Sequence, residues 1–387
     1  MFFRRWRVQK PLVLQMPITS RCNSRCVTCN VWKHKACADI DPDALREALK
    51  DDFFSDVVSV GLNGGEFTLM PGFIPVLEAV LTLPSLRNVH LITNGLLPER
   101  LFACLEQAKP LCDSRGVSLR VCLSVDGVGE VHEQVRGIPG CFGKTRAILE
   151  ELHERPGRYC HSFSVGCTLS RRNIPFVAET ESFLSSFKGL DVEYHLAVPN
   201  RRIHTEDDYK GYYVLEDPRA QRLAEEFFYG KFRTAADEKV RRQCFANYRF
   251  LKNNGRGRPC SCAYLRRDVT IDENLDMALC ATSGETIGNL KEQTATEIVR
   301  GSRARRERRR LEKGHCDRCI HYTYHGLSLK GRWAYLVEGL RNGFAMRYYD
   351  VRSRASRAER AKGTILLAAK FVYVFLSRVR SIIWKSR

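Results

Sequence analysis

The chain offers no hydrophobic run long enough to cross a bilayer. Thr364–Leu376 (TILLAAKFVYVFL) is apolar over 13 residues with Lys370 in its middle, which as a helix reaches about 20 Å against a hydrocarbon core of roughly 30 Å. The N-terminal MFFRRWRVQKPLVLQMP holds no apolar stretch ending in small residues, so no secretory signal is expected. Low-complexity tracts and long linkers are also missing. Acidic residues are the scarce charged class, 44 against 63 Lys and Arg, for a net charge of +19. The shortage is local: residues 321–387 hold 14 Lys and Arg with 3 Asp and Glu, so the other 320 residues carry only +8 of that charge. The basic character therefore describes a partner of the tail more than a substrate of the body. Cysteine is plentiful at 16, mostly scattered singly. Many free thiols without an export signal suit a reducing cytoplasm, where disulfides do not persist.

Composition is otherwise that of a globular protein with a sizeable core, 44% hydrophobic and 28% charged over 387 residues. In the first half, apolar β-branched runs end in polar or glycine-containing loops at about residues 20, 63, 93, 125, 169 and 198. Helix-like stretches lie between them at 42–50, 71–83, 98–107, 142–154 and 174–187. Strands alternating with helices at a step of roughly 30 residues imply parallel βα units. Six units predict an α/β fold, a partial (βα)6 TIM-like barrel over residues 10–205, with function on the loops after the strands. Residues 206–258 read as a charged helical connector. Residues 259–325 carry a second cysteine group, and 326–387 a basic helical tail.

Cys22, Cys26 and Cys29 are spaced C-x3-C-x2-C in the loop after the first strand. Three thiolates can hold a cubane iron–sulfur cluster at three of its four irons and leave the fourth open. Structural zinc would want paired C-x2-C ligands and a fourth nearby. A disulfide framework suits short secreted chains, which this is not.

With the loops that follow, the chain resembles the radical S-adenosylmethionine (SAM) enzymes. The motifs occur in order: the cysteine triad, Asn63-Gly64-Gly65-Glu66 after the second strand, Ile92-Thr93-Asn94-Gly95 after the third, and Ser124-Val125-Asp126-Gly127 after the fourth. The resemblance implies a [4Fe–4S] cluster on Cys22, Cys26 and Cys29 whose open iron is chelated by SAM. Reductive cleavage would give a 5′-deoxyadenosyl radical that takes hydrogen from a substrate, with flavodoxin or ferredoxin as electron donor. It also implies that Gly64, Gly65 and Glu66 receive the SAM amino group and that Ser124 and Asp126 reach the ribose. Asn94 and Thr168 would share that rim, and Arg171 would pair with the SAM carboxylate. Two positions depart from the pattern: Thr28 stands where an aromatic residue often meets adenine, and Phe67 where a proline usually follows Gly-Gly-Glu.

Cys260, Cys262, Cys280, Cys316 and Cys319 form the second group. Val269–Asp272 and Asp276–Leu279 read as a β-hairpin turning at Glu273-Asn274-Leu275, and a helix starts near Thr294. This is similar to the SPASM or twitch extensions of the same family, in which four cysteines fully ligate an auxiliary [4Fe–4S] cluster. Cys262, Cys280, Cys316 and Cys319 are the expected ligands, with Cys260 as alternative to Cys262. Too few cysteines remain for two auxiliary clusters, so the single-cluster twitch form is expected. A turn glycine common in the family is here Leu275. A four-cysteine zinc site uses the same ligand type and stays open.

The other cysteines are small buried residues by default. Cys167, near the end of the fifth strand, is the candidate hydrogen-atom donor to a substrate radical. His195 and Tyr194 are candidates for proton transfer. In the tail, extension to Trp384 aligns Lys370, Ser377, Ser381 and Lys385 on one stripe beside apolar residues. That pattern predicts a basic amphipathic helix on an anionic membrane surface, hence a cytoplasmic protein held at the inner face of the membrane. The alternative is a helix packed on the barrel or on a partner. Nucleic acid is disfavoured as a partner, because no recognition fold accompanies the arginine runs. A small-molecule, sugar or lipid-linked substrate is favoured over a peptide. Maturation of a ribosomal peptide is the alternative within the family, and a non-enzymatic zinc- or nucleic-acid-binding protein the alternative outside it.

Overall fold

The structure is a computed structural model that describes residues 9–33, 37–264, 266–321 and 327–341. The amphipathic tail expected at 364–384 lies outside the described residues. The first half alternates as β1 (Val13–Thr19), α1 (Pro42–Ala48), β2 (Ser59–Gly64), α2 (Phe73–Val80), β3 (Asn88–Thr93), α3 (Pro98–Ser114), β4 (Ser118–Ser124), α4 (Glu130–Arg136), α5 (Cys141–Glu154), α6 (Pro156–Tyr159), β5 (Ser162–Leu169), α7 (Val177–Ser185) and β6 (Asp191–Leu196). All six strands pair in parallel in the order 6-5-4-3-2-1, and the sheet does not close. The partial (βα)6 barrel expected from the periodicity is what the chain forms.

Each strand has two unlike faces, as the alternation of side chains requires. Leu14, Met16 and Ile18 of β1, Val60 and Leu62 of β2, Val89 and Leu91 of β3, and Leu119, Val121 and Leu123 of β4 are fully buried. They pack in one core with Leu45, Val76, Leu77, Leu101, Leu105, Ile148 and Leu149 of the helices. Each such side chain contributes about 1.5–3 kcal/mol. The opposite faces carry Gln15, Asn88, His90, Arg120, Ser162, Glu193 and His195, which line the barrel interior. A parallel sheet packed on both faces is apolar on both. This one is polar inside because the inside is a cavity.

The second half adds α8 (Pro218–Thr234) and α9 (Glu238–Lys252), whose first-turn amides donate to the Asp217 and Asp237 carboxylates, each cap worth about 1 kcal/mol. Phe228, Phe232, Phe245 and Phe250 of this pair pack on the outer side of β5 and β6. The expected hairpin is present as β7 (Val269–Ile271) and β8 (Asp276–Ala278), followed by β9 (Thr286–Asn289), α10 (Ala295–Arg300), α11 (Ser302–Gly314) and α12 (Leu329–Arg341). The hairpin does not stand apart from the barrel. β7 pairs in parallel with β1, so β7, β8 and β9 extend the sheet to nine strands. Asp268 fastens the joint by accepting the amides of Leu12 and Val13 at 3.2 and 3.3 Å.

Candidate functional site

The loop after β1 carries Cys22, Cys26 and Cys29, and all three line the cavity. The loop is strapped to the end of α4: Arg25 and Val27 amides donate to the carbonyls of Arg136 and Val135 at 2.9 Å. Ser24 Oγ lies 3.0 Å from Cys26 Sγ, and Arg136 Nη1 donates to that sulfur at 3.6 Å. Burial, with the neighbouring Cys26, pushes the Cys22 thiol up to about 11 and Cys29 to about 12. Thiols placed like this are neutral until a metal displaces their protons.

The loop after β2 is built to lie against the cysteine loop. Gly65 and Glu66 amides donate to the carbonyls of Thr19 and Arg21 at 2.7 Å. A Cβ on Gly65 would stand 1.9 Å from the Arg21 carbonyl oxygen, so no other residue fits. Gly64 and Gly65 present backbone to the cavity. The Glu66 carboxylate does not reach it. It is buried, and it accepts from Thr68 Oγ1 and Thr93 Oγ1 at 3.0 Å and from the Asn94 amide at 2.7 Å. Burial pushes its carboxyl up, and those donors pull it back. Glu66 thus ties the third loop to the second, and any SAM contact here falls to the glycine backbone.

Asn94 faces the cavity, donates to Asn23 Oδ1 at 2.9 Å and has its amide nitrogen 3.9 Å from Cys22 Sγ. Ser124 and Thr168 line the same wall. Asp126 lies at that wall with its oxygens engaged: Arg136 pairs with one at 2.8 Å, and the Thr168 amide donates to the other at 2.7 Å. Cys26, Arg136, Asp126 and Thr168 therefore form one chain of contacts linking the loop after β1, the segment after β4 and the end of β5. Arg136 lies beyond the four residues of the fourth motif, and sequence reasoning assigned it no role. Two expectations need correction. Arg171 donates to the Lys210 carbonyl and pairs with Asp217 at 3.2 Å, away from the cavity. Cys167 is buried on the helix-facing side of β5, in the core formed with α8 and α9. Its neighbours Gly166 and Thr168 point inward instead. Of the two thiols on the described barrel strands, Cys122, two residues before Ser124 on β4, is the one that lines the interior.

In the second group, Cys316 feels the charges of Cys262, Cys280 and Cys319. Cys260 packs in the α8–α9 core and bridges Leu327 through its backbone. Donors reach Cys280 and Cys319: the Ser283 amide to Cys280 Sγ at 3.5 Å, Arg258 Nη1 to Cys319 Sγ at 3.4 Å, and Thr282 Oγ1 3.4 Å from Cys280 Sγ. Against its burial, the Cys280 thiol is brought down to about 7 by His315, Thr282 and the Ser283 amide. A set of thiols so served suits ligands that must bind as thiolates. A single tetrahedral zinc needs its sulfurs within about 4 Å of one another, given Zn–S near 2.3 Å. Among the described residues no three His, Cys, Asp or Glu stand so as to share one ion.

Between the two groups lies a cavity of about 1180 Å3, above the roughly 300–1,000 Å3 of a typical single-ligand pocket. Its lining runs from the triad, past Asn94, Ser124 and Thr168, to Ala281 and Ile320, which adjoin Cys280 and Cys319 in sequence. His90, Arg120, Glu193 and His195 form its polar inner wall. Burial drives His90 down to about 4, so it is neutral there.

Residues 16–170 match the Radical SAM superfamily, and residues 244–320 match SPASM, an iron–sulfur cluster-binding domain. These domains carry [4Fe–4S] clusters and use SAM. The AdoMet-dependent heme synthase of Methanosarcina barkeri is 27% identical over 205 residues, covering 51% of this chain and 54% of that protein. The sporulation killing factor maturation protein SkfB of Bacillus subtilis is 27% identical over 146 residues, 37% of this chain and 33% of its own. The chain thus spans about half or less of the length of these curated relatives. Among solved structures, native anSMEcpe with bound AdoMet and Cp18Cys peptide aligns over 88% of this chain and 98% of its own, with TM-score 0.56 and 17% identity. Streptococcus suis SuiB bound to precursor peptide SuiA aligns over 76% and 65%, with TM-score 0.54 and 15% identity. These two share the fold. The heme synthase among these relatives is named as an enzyme.

Proposed function

We propose, from the premise that the chain belongs to the radical SAM superfamily and carries a SPASM domain, that it cleaves SAM reductively to initiate hydrogen abstraction from a polar substrate held in the barrel. When bound, the cluster and SAM together supply a 5′-deoxyadenosyl radical that takes the hydrogen atom. The observation that carries this reading is one cavity lined both by the cysteine triad and by Ala281 and Ile320, the sequence neighbours of Cys280 and Cys319. Cys22, Cys26 and Cys29 would hold the first cluster, and Cys262, Cys280, Cys316 and Cys319 would hold a single auxiliary cluster. The Gly64–Gly65 backbone, Asn94, Ser124 and Thr168 form the SAM wall, while Asp126 and Arg136 keep that wall rigid. His90, Arg120, Glu193 and His195 meet the substrate with donors and acceptors, which suits a hydroxylated small molecule, sugar or lipid-linked head group. Enzymes of this family need a reductant, here a flavodoxin or ferredoxin in the cytoplasm.

Peptide maturation is the second reading, favoured by the likeness to the SkfB maturation protein. Deuterium transfer into 5′-deoxyadenosine separates the two. Label should come from a deuterated small-molecule extract and not from a deuterated peptide fraction; the reverse result would install the peptide reading. The basic tail is proposed to hold the protein on anionic membrane. If full-length protein and a truncation before Lys362 bind anionic liposomes equally, that role is lost. Among the described residues no helix is long and apolar enough to cross a membrane.

A further inference from the structure

The loop after β6 is pinned to both cysteine regions. The Asn30 amide, next to Cys29, donates to the Ile203 carbonyl at 3.0 Å, and the Arg201 amide donates to the Thr282 carbonyl at 2.8 Å. Asn200 Oδ1 accepts the Arg202 amide at 2.9 Å and fixes the turn between them. Arg202 is thereby held in the cavity lining, where it feels the charges of Asp272, Glu273, Tyr264 and Cys280. Other arginines of that lining are paired: Arg120 with Asp191 at 2.8 Å and with Glu193, Arg136 with Asp126 at 2.8 Å, and Arg201 with Glu285 at 3.1 Å. Arg202 makes neither an ion pair nor a side-chain hydrogen bond among the described residues. Burial opposes its charge, and the Asp272 and Glu273 carboxylates, beyond ion-pair distance, sustain it only in part.

The facing wall is also left open. Asp272 Oδ1 is taken by the Asn274 and Asp276 amides at 3.0 Å. The Glu273 carboxylate lines the cavity with only its own amide as hydrogen-bond donor among the described residues. Thr270 of β7, two residues before Asp272, lines it too. It is 1% exposed, and its Oγ1 has no partner among the described residues. Buried polar groups normally find partners, so a guanidinium, a carboxylate and a hydroxyl left unpaired in one corner call for a ligand.

We propose that Arg202 binds an anionic group of the substrate, a carboxylate or a phosphate, and that Glu273 accepts from a hydroxyl or amine carried beside it. This rests on the reading of the cavity as a substrate site. The guanidinium fork matches two oxygens of either anion. A purely hydrocarbon group would leave the cation unpaired where burial already disfavours it. The anion is the substrate's and not the SAM carboxylate, because Arg202 feels the hairpin and Cys280 and not the triad.

The test is calorimetric titration of full-length reconstituted protein, saturated with SAM and without reductant. The probes are acetate and inorganic phosphate, each beside a hydroxylated counterpart, glycolate and glycerol 1-phosphate. One of the two pairs should bind, which tells carboxylate from phosphate, and its hydroxylated member should bind tighter. Arg202→Leu should weaken that pair by about tenfold or more, the worth of a charge-assisted hydrogen bond. Arg202→Lys, which keeps the charge without the fork, should recover part of it. Anions held elsewhere on this basic chain are untouched by Arg202→Leu, so the difference isolates the corner. Glu273→Ala should abolish the preference for the hydroxylated probe, and it lies on a separate loop should Arg202→Leu fail to fold. SAM affinity, measured by equilibrium dialysis, should not change in any of these variants. No binding by the wild type, affinities unchanged in Arg202→Leu and Glu273→Ala, or SAM affinity lost with Arg202 would overturn the inference. Probe binding needs no reductant, so failure to cleave SAM would defeat the parent reading and leave this result standing.

Discussion

Gly65, Asp126 and Leu275 show how single residues hold this site together. Gly65→Ala would press a Cβ into the Arg21 carbonyl at 1.9 Å, and because backbone faces backbone, neither side can yield by changing rotamer. The expected outcome is folded protein whose cysteine loop has shifted, with SAM affinity lowered at least tenfold by equilibrium dialysis. Asp126 and Arg136 are both buried. Removing one partner of a buried pair costs about 3–5 kcal/mol because the other charge is stranded, so Asp126→Ala should lower unfolding free energy in urea by about that amount. Leu275 occupies the hairpin turn at φ 66° and is fully buried. Left-handed backbone costs a non-glycine residue roughly 1–2 kcal/mol, whereas losing a buried leucine side chain costs about 2–5 kcal/mol. Leu275→Gly should therefore destabilise despite relieving strain, which explains how the turn tolerates leucine in left-handed backbone.

His132 gives the pH dependence. It is fully buried, and its Nδ1 accepts the Asp126 amide at 3.1 Å, so the ring is neutral. Burial, then Arg136, lowers it to about 3 against about 6.5 in an unfolded chain. The unfolded state binds the proton more readily, so the stability this histidine gives is complete above pH ~6.5 and is lost as pH falls from there towards 3. His132→Gln keeps an acceptor but does not titrate. Between pH 6 and 4 its stability should fall less steeply than the wild type's, by about 1.4 kcal/mol per pH unit. Equal slopes in denaturant titrations would show that His132 is already protonated in the folded protein.

At the scale of elements, the sequence revealed most of the barrel. Polar loops after β-branched runs marked all six strand ends, because each strand must finish at the mouth where the loops take over. Side-chain parity was also legible and decides between neighbours. Cys167 and Thr168 are adjacent on β5 and cannot both face the interior, whereas Cys122 shares the face of Ser124. The pairing of β7 with β1 was not legible, since nothing in a three-residue strand names a partner more than 250 residues away. The engagement of Glu66 by Thr68, Thr93 and Asn94 was hidden for the same reason: a motif gives a residue type and not its neighbours. α3 runs past Pro110 to Ser114, beyond the 98–107 expected from the sequence. Pro110 and Glu106 are both exposed, so the carbonyl that proline leaves unpaired meets water. The β7–β1 joint makes its own prediction. Asp268→Ala should speed hydrogen exchange at the Leu12 and Val13 amides, while exchange at the β3–β4 pairing stays slow. Protection unchanged at Leu12 and Val13 would mean that Asp268 does not fasten the joint.

For the whole molecule, one nine-stranded sheet carries both cysteine groups and the cavity between them. That continuity explains why a short hairpin module can hold a cluster at a fixed place relative to the barrel. The decisive measurement is iron content together with 5′-deoxyadenosine release, on anaerobically reconstituted protein supplied with SAM and a strong reductant. Wild type should hold about eight irons, as two cubane clusters require, and release 5′-deoxyadenosine. Replacing Cys22, Cys26 and Cys29 by Ala should remove half the iron and all of the release. Replacing Cys316 and Cys319 should remove the other half and leave some release. Colourless zinc-loaded protein, or cleavage of SAM that survives loss of the triad, would contradict the account.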